Sequence, residues 1–247
     1  MRIAFRTHAG MRTDHNEDFY SVLVAPHLSL VIVADGVGGH HAGEVASQLG
    51  VKVVQNALAG RLTELDAEQA PEALRQAFQQ AHEVIARQAA SDDQCAGMGT
   101  TMVAGLFQNG KLHLAHVGDS RAYRIASRHI TPLTRDHSLV GSMVQSGIIS
   151  SEEARNHHLS NIITQCLGCA EYIGPDLKSM ELMTDDIFLF CSDGLTDMLD
   201  DNKILKIVWR NSRKLPICAD KLVARANKNG GRDNITVVLV NYDGGNY

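Results

Sequence analysis

The sequence of 247 residues has few of the features that nucleic-acid-binding proteins use. Aromatic residues make up 5% of it, and the 23 Lys and Arg are outnumbered by 28 Asp and Glu, which leaves a net charge of -5. Direct binding of DNA or RNA relies on a basic patch and, for single strands, on aromatic side chains that stack with bases. The composition therefore disfavours a nucleic-acid-binding protein.

Long apolar runs are also missing. No stretch of the sequence approaches the roughly 20 apolar residues of a membrane span. The start, Met1–His8, lacks the apolar core of a secretory signal. We therefore expect a cytoplasmic protein with no membrane partner.

Cysteine is scarce, and its five copies are an odd number. Cys95, Cys191 and Cys218 are scattered through apolar or helical segments, which indicates reduced thiols in a cytoplasmic protein. Cys166 and Cys169 form a single C-x-x-C motif. A structural zinc site needs four ligands, and the sequence has neither a second such pair nor a histidine at finger spacing. Zinc binding is disfavoured.

What the sequence does contain is a set of aspartates beside short apolar runs. Three such runs end at Asp35, Asp119 and Asp193, and a fourth begins just after Asp233. Runs of this length, rich in Val, Ile, Leu and Phe and bounded by glycine, are typical of buried strands. Four carboxylates would therefore lie at the ends of core strands, where one edge of a sheet can bring them together.

Each Asp-Gly step by itself would be explained by a turn, because Asp bonds its own backbone and Gly accepts a positive φ. Turns do not explain why the preceding runs are so uniformly apolar. Carboxylates gathered in a partly buried site repel one another unless a cation neutralises them, and no equal set of Lys or Arg lies beside them in the sequence. Oxygen ligands of this kind favour Mg²⁺ or Mn²⁺ over zinc.

The order of the predicted elements indicates the fold class. Helices are predicted at 44–59 and 71–90, where apolar residues recur at three- and four-residue spacing, and near 201–210 and 216–229. Strands are predicted at 2–8, 19–24, the run up to Asp35, 100–107, 111–117, 122–125, 187–191 and 235–240. Because strands outnumber helices and mostly follow one another directly, antiparallel sheets flanked by helices are favoured over a parallel sheet.

The stretch 136–168 interrupts this pattern because it is polar and rich in histidine. Part of it is predicted to be helical. Ser150 to Glu153 has the sequence of a capping box, which opens a short helix.

Seven short motifs occur in a fixed order along the chain. They are Asn16-Glu17-Asp18, Val33–Gly39, Gly99-Thr100-Thr101, Val117–Tyr123, Leu133–Ser138, Cys191–Leu195 and Gly231–Thr236. In residue types and order, the set resembles the bacterial metal-dependent serine/threonine phosphatases of the PP2C (PPM) family. One tripeptide would be weak evidence, but the ordered set covers about residues 1 to 240 and is very specific.

The resemblance implies an α+β fold. Its architecture would be a four-layer αββα sandwich, in which two antiparallel sheets lie between helical layers and the metals occupy a cleft at one edge. It also implies a single phosphatase domain over residues 1–247, with a flap subdomain at about 136–168.

The resemblance also implies which residues hold the metal ions. Asp35 would bridge two ions, and the Gly36 carbonyl would bind one of them. Asp193 and Asp233 would complete the first site.

Further residues would support this pair of ions. Glu17 and Asp18 would hold metal-bound waters. Asp119, together with Asp193, would hold a third and weaker ion, and Asn234 would orient the ligands from outside.

The implied reaction is hydrolysis of phosphoserine or phosphothreonine in proteins phosphorylated by a bacterial serine/threonine kinase. Two close divalent ions lower the pKa of a bridging water and supply hydroxide near neutral pH, which attacks the phosphorus in line with the leaving oxygen. The ions also neutralise charge on the phosphoryl oxygens. Asp35 and Asp193 are catalytic residues in this scheme.

The phosphate-binding arginine of the family usually lies five residues before the position of Asp18, where this chain has Thr13. Arg12 is the nearest arginine. In a loop it could replace the usual residue, whereas in a strand a one-residue slip would point it to the opposite face. Its alternative role is a solvated surface charge.

The general acid is also open. Some members have a histidine just after the bridging Asp-Gly, where this chain has Val37. His40 and His41 could donate a proton, but an ordinary loop role is the simpler interpretation, and metal-bound water is the alternative donor.

Several nearby residues have weaker cases. We expect Arg121 and Asp136 to form a structural pair. His137, His157 and His158 lie in the predicted flap, where they would shape substrate access.

Three other functions compete with the leading one. A non-catalytic phosphoprotein-binding module on the same fold is disfavoured, because degenerate members usually lose metal aspartates that this chain retains. A two-metal nuclease would need a basic groove. Hydrolysis of a small phosphorylated metabolite stays open.

Overall fold

The computed structural model describes residues 1–26, 28–38, 42–60, 65–155 and 157–245. Within these ranges the strands are β1 (Arg2–His8), β2 (Asp18–Ala25), β3 (Leu28–Val37), β4 (Gly99–Thr100), β5 (Met102–Gln108), β6 (Lys111–Val117), β7 (Arg121–Ala126), β8 (His129–Pro132), β9 (Asp176–Glu181), β10 (Ile187–Cys191) and β11 (Ile235–Asn241). The helices are α1 (Ala42–Ala59), α2 (Ala70–Ser91), α3 (Leu139–Gln145), α4 (Ser151–Arg155), α5 (Asp193–Thr196), α6 (Asp201–Asn211) and α7 (Leu215–Lys228), with a 3-10 turn at Asp93–Cys95.

The strands form two antiparallel sheets. The first sheet has the order β1-β11-β10-β7-β8. The second has the order β2-β3-β5-β6-β9, and β4 pairs with the end of β3. In the first sheet, β10 is central, and its Leu189 lies between Leu239 of β11 and Tyr123 of β7.

Three apolar cores separate four layers. Successive side chains of a strand point to opposite faces, so Phe188 and Phe190 of β10 meet Phe107 of the second sheet between the sheets, while Leu189 packs under the helices. Helices α1 and α2 cover the second sheet, and α6 and α7 cover the first. The predicted α+β αββα sandwich is confirmed.

The observed strands differ from the predicted ones at two kinds of place. β8 and β9 were not predicted, because both are edge strands with mostly exposed residues and lack an apolar run. The predicted strand 100–107 is divided into β4 and β5. The break lies at Thr101, whose N–H donates to the Asp35 carbonyl (2.8 Å).

The flap stretch is helical in part, as predicted, and it contains the two short helices α3 and α4. Ser138 begins α3 by accepting a hydrogen bond from the Gly141 N–H (3.0 Å). The capping box is confirmed, because Ser150 Oγ accepts from the Glu153 N–H (3.2 Å) and the Glu153 carboxylate accepts from the Ser150 N–H (2.7 Å). Among all described helices, none combines the length and apolarity required to cross a bilayer.

The cysteines correct one expectation. Cys95, Cys191 and Cys218 are buried free thiols, as predicted. Cys166 and Cys169 are joined in a disulfide, so the expectation of reduced thiols is wrong for this pair. Their Cα atoms lie 5.4 Å apart, within the range that a disulfide spans.

Candidate metal centre

Two of the predicted carboxylates face each other in the second sheet. Asp18, the first residue of β2, lies directly opposite Asp35 of β3. Residues opposite each other on antiparallel strands have Cβ atoms about 4.5–5.5 Å apart, and two like charges in this position destabilise the sheet. The strand register therefore creates a negative site that a cation would relieve.

Ser192 connects this pair to the first sheet. It follows β10, and its hydroxyl donates to Asp18 Oδ2 (2.7 Å) and accepts from the Thr236 N–H of β11 (3.0 Å). The next residue, Asp193, is the first residue of α5. Strand ends of the two sheets thus meet where the apolar runs end.

The electrostatics show that the predicted aspartates are close together. The pKa of Asp35 is raised well above its ordinary value, first by burial and then by the negative charges of Asp18, Asp193, Asp119 and Asp233. Without a cation, several of these groups would hold protons near neutral pH.

The neighbouring carboxylates respond in the same way. Burial, followed by the charges of Asp119, Asp197 and Asp233, raises the pKa of Asp193 well above its ordinary value. Burial raises the pKa of Asp18 to about 7, although the hydrogen bond from Ser192 lowers it. The pKa of Asp119 is also raised to about 7, mainly by burial.

Two carboxylate oxygens at this site lack a hydrogen-bond donor among the described residues. They are Asp18 Oδ1 and Asp193 Oδ1, and both atoms are buried. Buried polar atoms are nearly always paired. Arg121 lies nearby, but its guanidinium already binds Asp136 through bonds of 2.8 and 2.5 Å. An uncompensated set of oxygen donors fits a hard divalent cation such as Mg²⁺ or Mn²⁺.

Asn234 holds the Glu17 segment in place. Its Oδ1 accepts from the Glu17 N–H (2.7 Å), and its Nδ2 donates to the carbonyls of Ala9 and His15 (2.9 Å each). The Glu17 carbonyl accepts from the Gly36 N–H (3.1 Å). Glu17 therefore lies beside Gly36, as the metal prediction requires.

Gly36 itself leaves no room for a side chain. A Cβ at this position would lie 2.1 Å from the carbonyl oxygen of Gly43 in α1. The close approach of β3 and α1 therefore depends on glycine, and it brings the start of α1 against the strand that carries Asp35.

The turn interpretation does not hold for the two Asp-Gly steps, Asp35-Gly36 and Asp193-Gly194. Asp35 and Gly36 lie inside β3, Asp193 begins α5, and only Asp119 lies in a bend, after Gly118 with a φ of +98°. The aspartates therefore share a location and not a backbone conformation.

Arg12 lies in the turn between β1 and β2 and is exposed. The neighbouring Met11 N–H donates to the Gly231 carbonyl (2.7 Å), which packs this turn against the loop that carries Asp233. Because Arg12 lies in a turn and not in a strand, the one-residue shift from Thr13 does not turn its side chain to the opposite face of a sheet. Thr13 is also in the turn, where its Oγ1 accepts from the His15 N–H (3.1 Å).

The expected pair of Arg121 and Asp136 is present. Of the flap histidines, His157 and His158 stack on each other with ring centroids 4.5 Å apart. The predictions for His40 and His41 concern residues outside the described part of the chain.

His137 belongs to a second group of ligand-type side chains. With His116 and Asp176 it brings three ligand atoms within 4.8 Å of one another. The Gly118 N–H donates to His137 Nδ1 (3.2 Å), which places the proton of a neutral ring on Nε2, 3.3 Å from the Asp176 carboxylate. His137 Nε2 therefore faces the Asp176 carboxylate at ion-pair distance.

Sequence reasoning missed Asp197 of the carboxylate cluster and Ser192, which binds to it. Asp197 lies four residues after Asp193, and its pKa is raised by burial and by Asp233. The i, i+4 spacing was a usable signal. Ser192 gave no such signal, because its contact with Asp18 joins positions 174 residues apart.

Comparisons with known proteins agree with this geometry. Residues 7–230 match the family model described as protein phosphatase 2C. The serine/threonine phosphatase Stp of Listeria monocytogenes is 39% identical over 98% of this chain and 96% of that protein. The crystal structure of Stp1 from Staphylococcus aureus is 35% identical, covers 98% of this chain and 95% of its own, and has a TM-score of 0.90.

A further solved structure bears on the metals. The catalytic domain of the phosphatase PstP, in complex with two manganese ions, is 35% identical, covers 98% of each chain and has a TM-score of 0.84. The family match and these relatives confirm the predicted resemblance. The chain belongs to the protein phosphatase 2C family, among its bacterial serine/threonine phosphatases.

Proposed function

We propose that this chain hydrolyses phosphoserine and phosphothreonine in proteins by using Mn²⁺ or Mg²⁺ held at the carboxylate cluster. The observation that carries the proposal is the pair of buried, donor-free oxygens of Asp18 and Asp193. They lie in a group of aspartates that raise one another's pKa. Such a group is stable at neutral pH when a divalent cation neutralises it.

The residues would divide the work as follows. Asp35, the Gly36 carbonyl, Asp193 and Asp233 would hold the central ions. When bound, the ions would supply positive charge for the phosphoryl oxygens and lower the pKa of water, so that hydroxide is available near neutral pH.

A second set of residues would complete and orient this centre. Glu17 and Asp18 would hold water beside the ions, and Asp119 would bind a third, weaker ion together with Asp193. Ser192 fixes the carboxylate of Asp18 through its hydrogen bond (2.7 Å), and Asn234 fixes the backbone of Glu17 (2.7 Å).

Arg12 would bind the substrate phosphate. Its turn packs on the loop that carries Asp233, and its side chain is exposed to incoming ligand. Replacing Arg12 with Ala should raise KM for a phosphopeptide without changing the Mn²⁺ dependence, and Arg12→Lys should recover part of the loss, because lysine keeps the charge but not the bidentate fork. An unchanged KM in Arg12→Ala would leave it a solvated surface charge.

The remaining features of the proposal concern context. Residues 1–247 would form one phosphatase domain with the flap at about 136–168. The substrates would be cytoplasmic proteins phosphorylated by a bacterial serine/threonine kinase, and neither nucleic acid nor membrane would be a partner.

The deciding experiment is phosphate release from a phosphothreonine peptide across a Mn²⁺ titration. Wild type should show turnover that depends on Mn²⁺ and stops with EDTA, and Asp35→Asn should lose it. Glu181→Gln is the matched control, because it removes one exposed carboxylate of the edge strand β9, which pairs with Lys111 of the neighbouring β6 (3.6 Å). It should behave as wild type.

Absence of turnover in folded, Mn²⁺-saturated wild type would reject the enzyme and favour a phosphoprotein-binding module. Turnover of a small phosphorylated metabolite in preference to the peptide would keep the chemistry and replace the substrate class.

A further inference from the structure

The disulfide between Cys166 and Cys169 lies at the end of the flap, apart from the carboxylates. Cys166 is fully buried, whereas Cys169 is partly exposed. Cys169 is therefore the more exposed cysteine of the pair, and Cys166 is shielded by protein.

Leu167, one of the two residues between the cysteines, is hydrogen-bonded to Thr100, which contacts the backbone of Asp35. Leu167 exchanges both backbone bonds with Thr100, through N–H···O distances of 2.9 and 3.0 Å. Thr100 Oγ1 in turn donates to the carbonyl of Asp35 (2.8 Å). A single residue, Thr100, thus separates the disulfide loop from the backbone of the predicted bridging ligand.

The two sulfurs also pack against Gly99 of β4. A Cβ built on Gly99 would lie 2.6 Å from Cys166 Sγ and 2.9 Å from Cys169 Sγ, so there is no spare space on that side. On the other side, the Gly168 N–H donates to His82 Nδ1 of α2 (3.1 Å). The segment between the two cysteines is thus held on both sides, by the bonds of Leu167 to Thr100 and by the bond of Gly168 to His82.

Disulfides are rare in cytoplasmic proteins, and those that occur there are usually transient, catalytic or redox-sensing. The C-x-x-C spacing is one that lowers thiol pKa and favours exchange. The other cysteines contrast with this pair, because burial raises the pKa of Cys191 and of Cys218 to about 12 and keeps both as unreactive thiols.

We propose that Cys166 and Cys169 form a reversible dithiol–disulfide site whose oxidation state sets how firmly Asp35 is held and therefore how tightly the chain binds divalent metal. This inference depends on the proposed function in one respect only, which is that both use the same metal centre. The disulfide form, in which Leu167 and Thr100 are bonded, is the form of higher affinity.

The redox steps are balanced with common reagents. In reduction, one thiolate of an external dithiol attacks Cys169 Sγ, the bond between the cysteines breaks, and Cys166 leaves as a thiolate that takes up a proton. The second thiol of the reductant then displaces Cys169 and closes its own disulfide. In oxidation, the two thiols give two electrons and two protons to hydrogen peroxide, which becomes two waters.

The test measures Mn²⁺ binding by calorimetry on two preparations of the whole chain. One is kept oxidised, and the other is reduced and then desalted without oxygen, and alkylation with mass spectrometry verifies each state. Loss of an outer partner of a ligand typically costs about 10–100-fold in metal affinity, so we expect the reduced chain to bind Mn²⁺ about tenfold more weakly. Peroxide treatment followed by desalting should restore the affinity.

Two variants sharpen the result. Cys169→Ser should bind Mn²⁺ like the reduced chain whether or not peroxide is added, and Cys218→Ala, in the opposite helical layer, should respond like wild type. Near-ultraviolet circular dichroism checks that each variant is folded, and the two wild-type preparations decide the question if a variant is not.

Equal Mn²⁺ affinity in the two redox states would overturn the proposal, as would a reduced chain that peroxide cannot re-oxidise. Because binding is measured without substrate, a redox-dependent affinity in a chain that lacks phosphatase activity would uphold this inference while rejecting the proposed function.

Discussion

The two ends of strand β10 are followed or preceded by aspartates with opposite surroundings. Asp186 immediately precedes the strand and is 2% exposed. Its carboxylate pairs with Arg124 at 2.8 and 3.1 Å and accepts a further bond from the Met183 N–H (3.1 Å). Its charge is balanced within the fold.

Asp193 follows the same strand after one residue. Its Oδ1 has no hydrogen-bond donor among the described residues, and the groups that act on it are the carboxylates of Asp119, Asp197, Asp233 and Asp18. A folded chain tolerates such a cluster only by protonating it or by binding a cation. The comparison separates a carboxylate whose charge is balanced within the fold from one whose charge is not.

The largest effect should come from Asp193→Asn. Loss of a residue that supports a metal ligand already lowers metal affinity or activity by about 10–100-fold. Loss of Asp193, a proposed direct ligand, should therefore lower Mn²⁺-dependent phosphate release by more than about 100-fold. Without metal, the variant should be at least as stable as wild type, because one repulsive charge is gone. Activity assays and urea unfolding in EDTA measure both, and a marked loss of metal-free stability would show that Asp193 is structural.

Asp186→Asn should give the opposite pattern. Breaking a buried ion pair costs about 3–5 kcal/mol, and since the side chain of Arg124 is 29% exposed, we expect a loss of about 2–3 kcal/mol in the free energy of unfolding. Turnover at saturating Mn²⁺ should stay near that of wild type at a temperature where the variant is folded. A large loss of turnover there would erase the distinction between the two ends of β10.

The pH dependence of the free energy of unfolding, measured without metal, should also distinguish the carboxylate cluster around Asp193 from Asp186. The pKa values of Asp18 and Asp119 are raised to about 7 in the folded chain from 3.8. The folded state therefore holds protons that the unfolded state has released. Stability should be highest below about pH 4 for these groups and fall as the pH rises towards 7, by on the order of 2 kcal/mol after allowance for their coupling.

Saturating Mn²⁺ should remove this fall, because the cation replaces the protons. Urea midpoints at pH 5 and pH 7.5, with EDTA and with Mn²⁺, test it. Stability in EDTA that rises over this interval would contradict the expected sign, and Asp18→Asn should flatten the dependence.

The smallest effect should come from Ser192→Ala. The hydroxyl positions Asp18 and makes no predicted contact with metal, so its loss should weaken Mn²⁺ binding by about tenfold. Ser192→Thr should retain most of the affinity if the buried site accommodates the methyl group. Calorimetry of Mn²⁺ binding measures both, and full affinity in Ser192→Ala would show that the sheet edges position Asp18 without this bond.

Much of the fold follows from local pattern. Runs such as Leu28–Ala34 and Ile187–Cys191 are buried along their whole length, and apolar runs of this length predict core strands. The edge strands β8 and β9 were missed for the same reason, because an edge strand need not be apolar. The predicted helix boundaries agree to within two residues, since amphipathic periodicity ends where the helices end.

The site was predictable in its chemistry and less so in its construction. Aspartates beside core strands indicated oxygen ligands for Mg²⁺ or Mn²⁺, and the structure brings Asp18, Asp35, Asp119, Asp193 and Asp233 into one electrostatic group. The hydrogen bond from Ser192 to Asp18 and the disulfide of Cys166 and Cys169 beside Gly99 were not predicted.

The sequence by itself thus determined the layers of the sandwich and the type of ligand, because both depend on residue type and on periodicity within short segments. Only the tertiary structure decided which carboxylates are neutralised. Asp186 meets Arg124, which is 62 residues away, and Asp193 meets other carboxylates instead. The physical reason is that the free energy of a buried charge depends on what surrounds it in space, and at this sheet edge those neighbours come from distant parts of the chain.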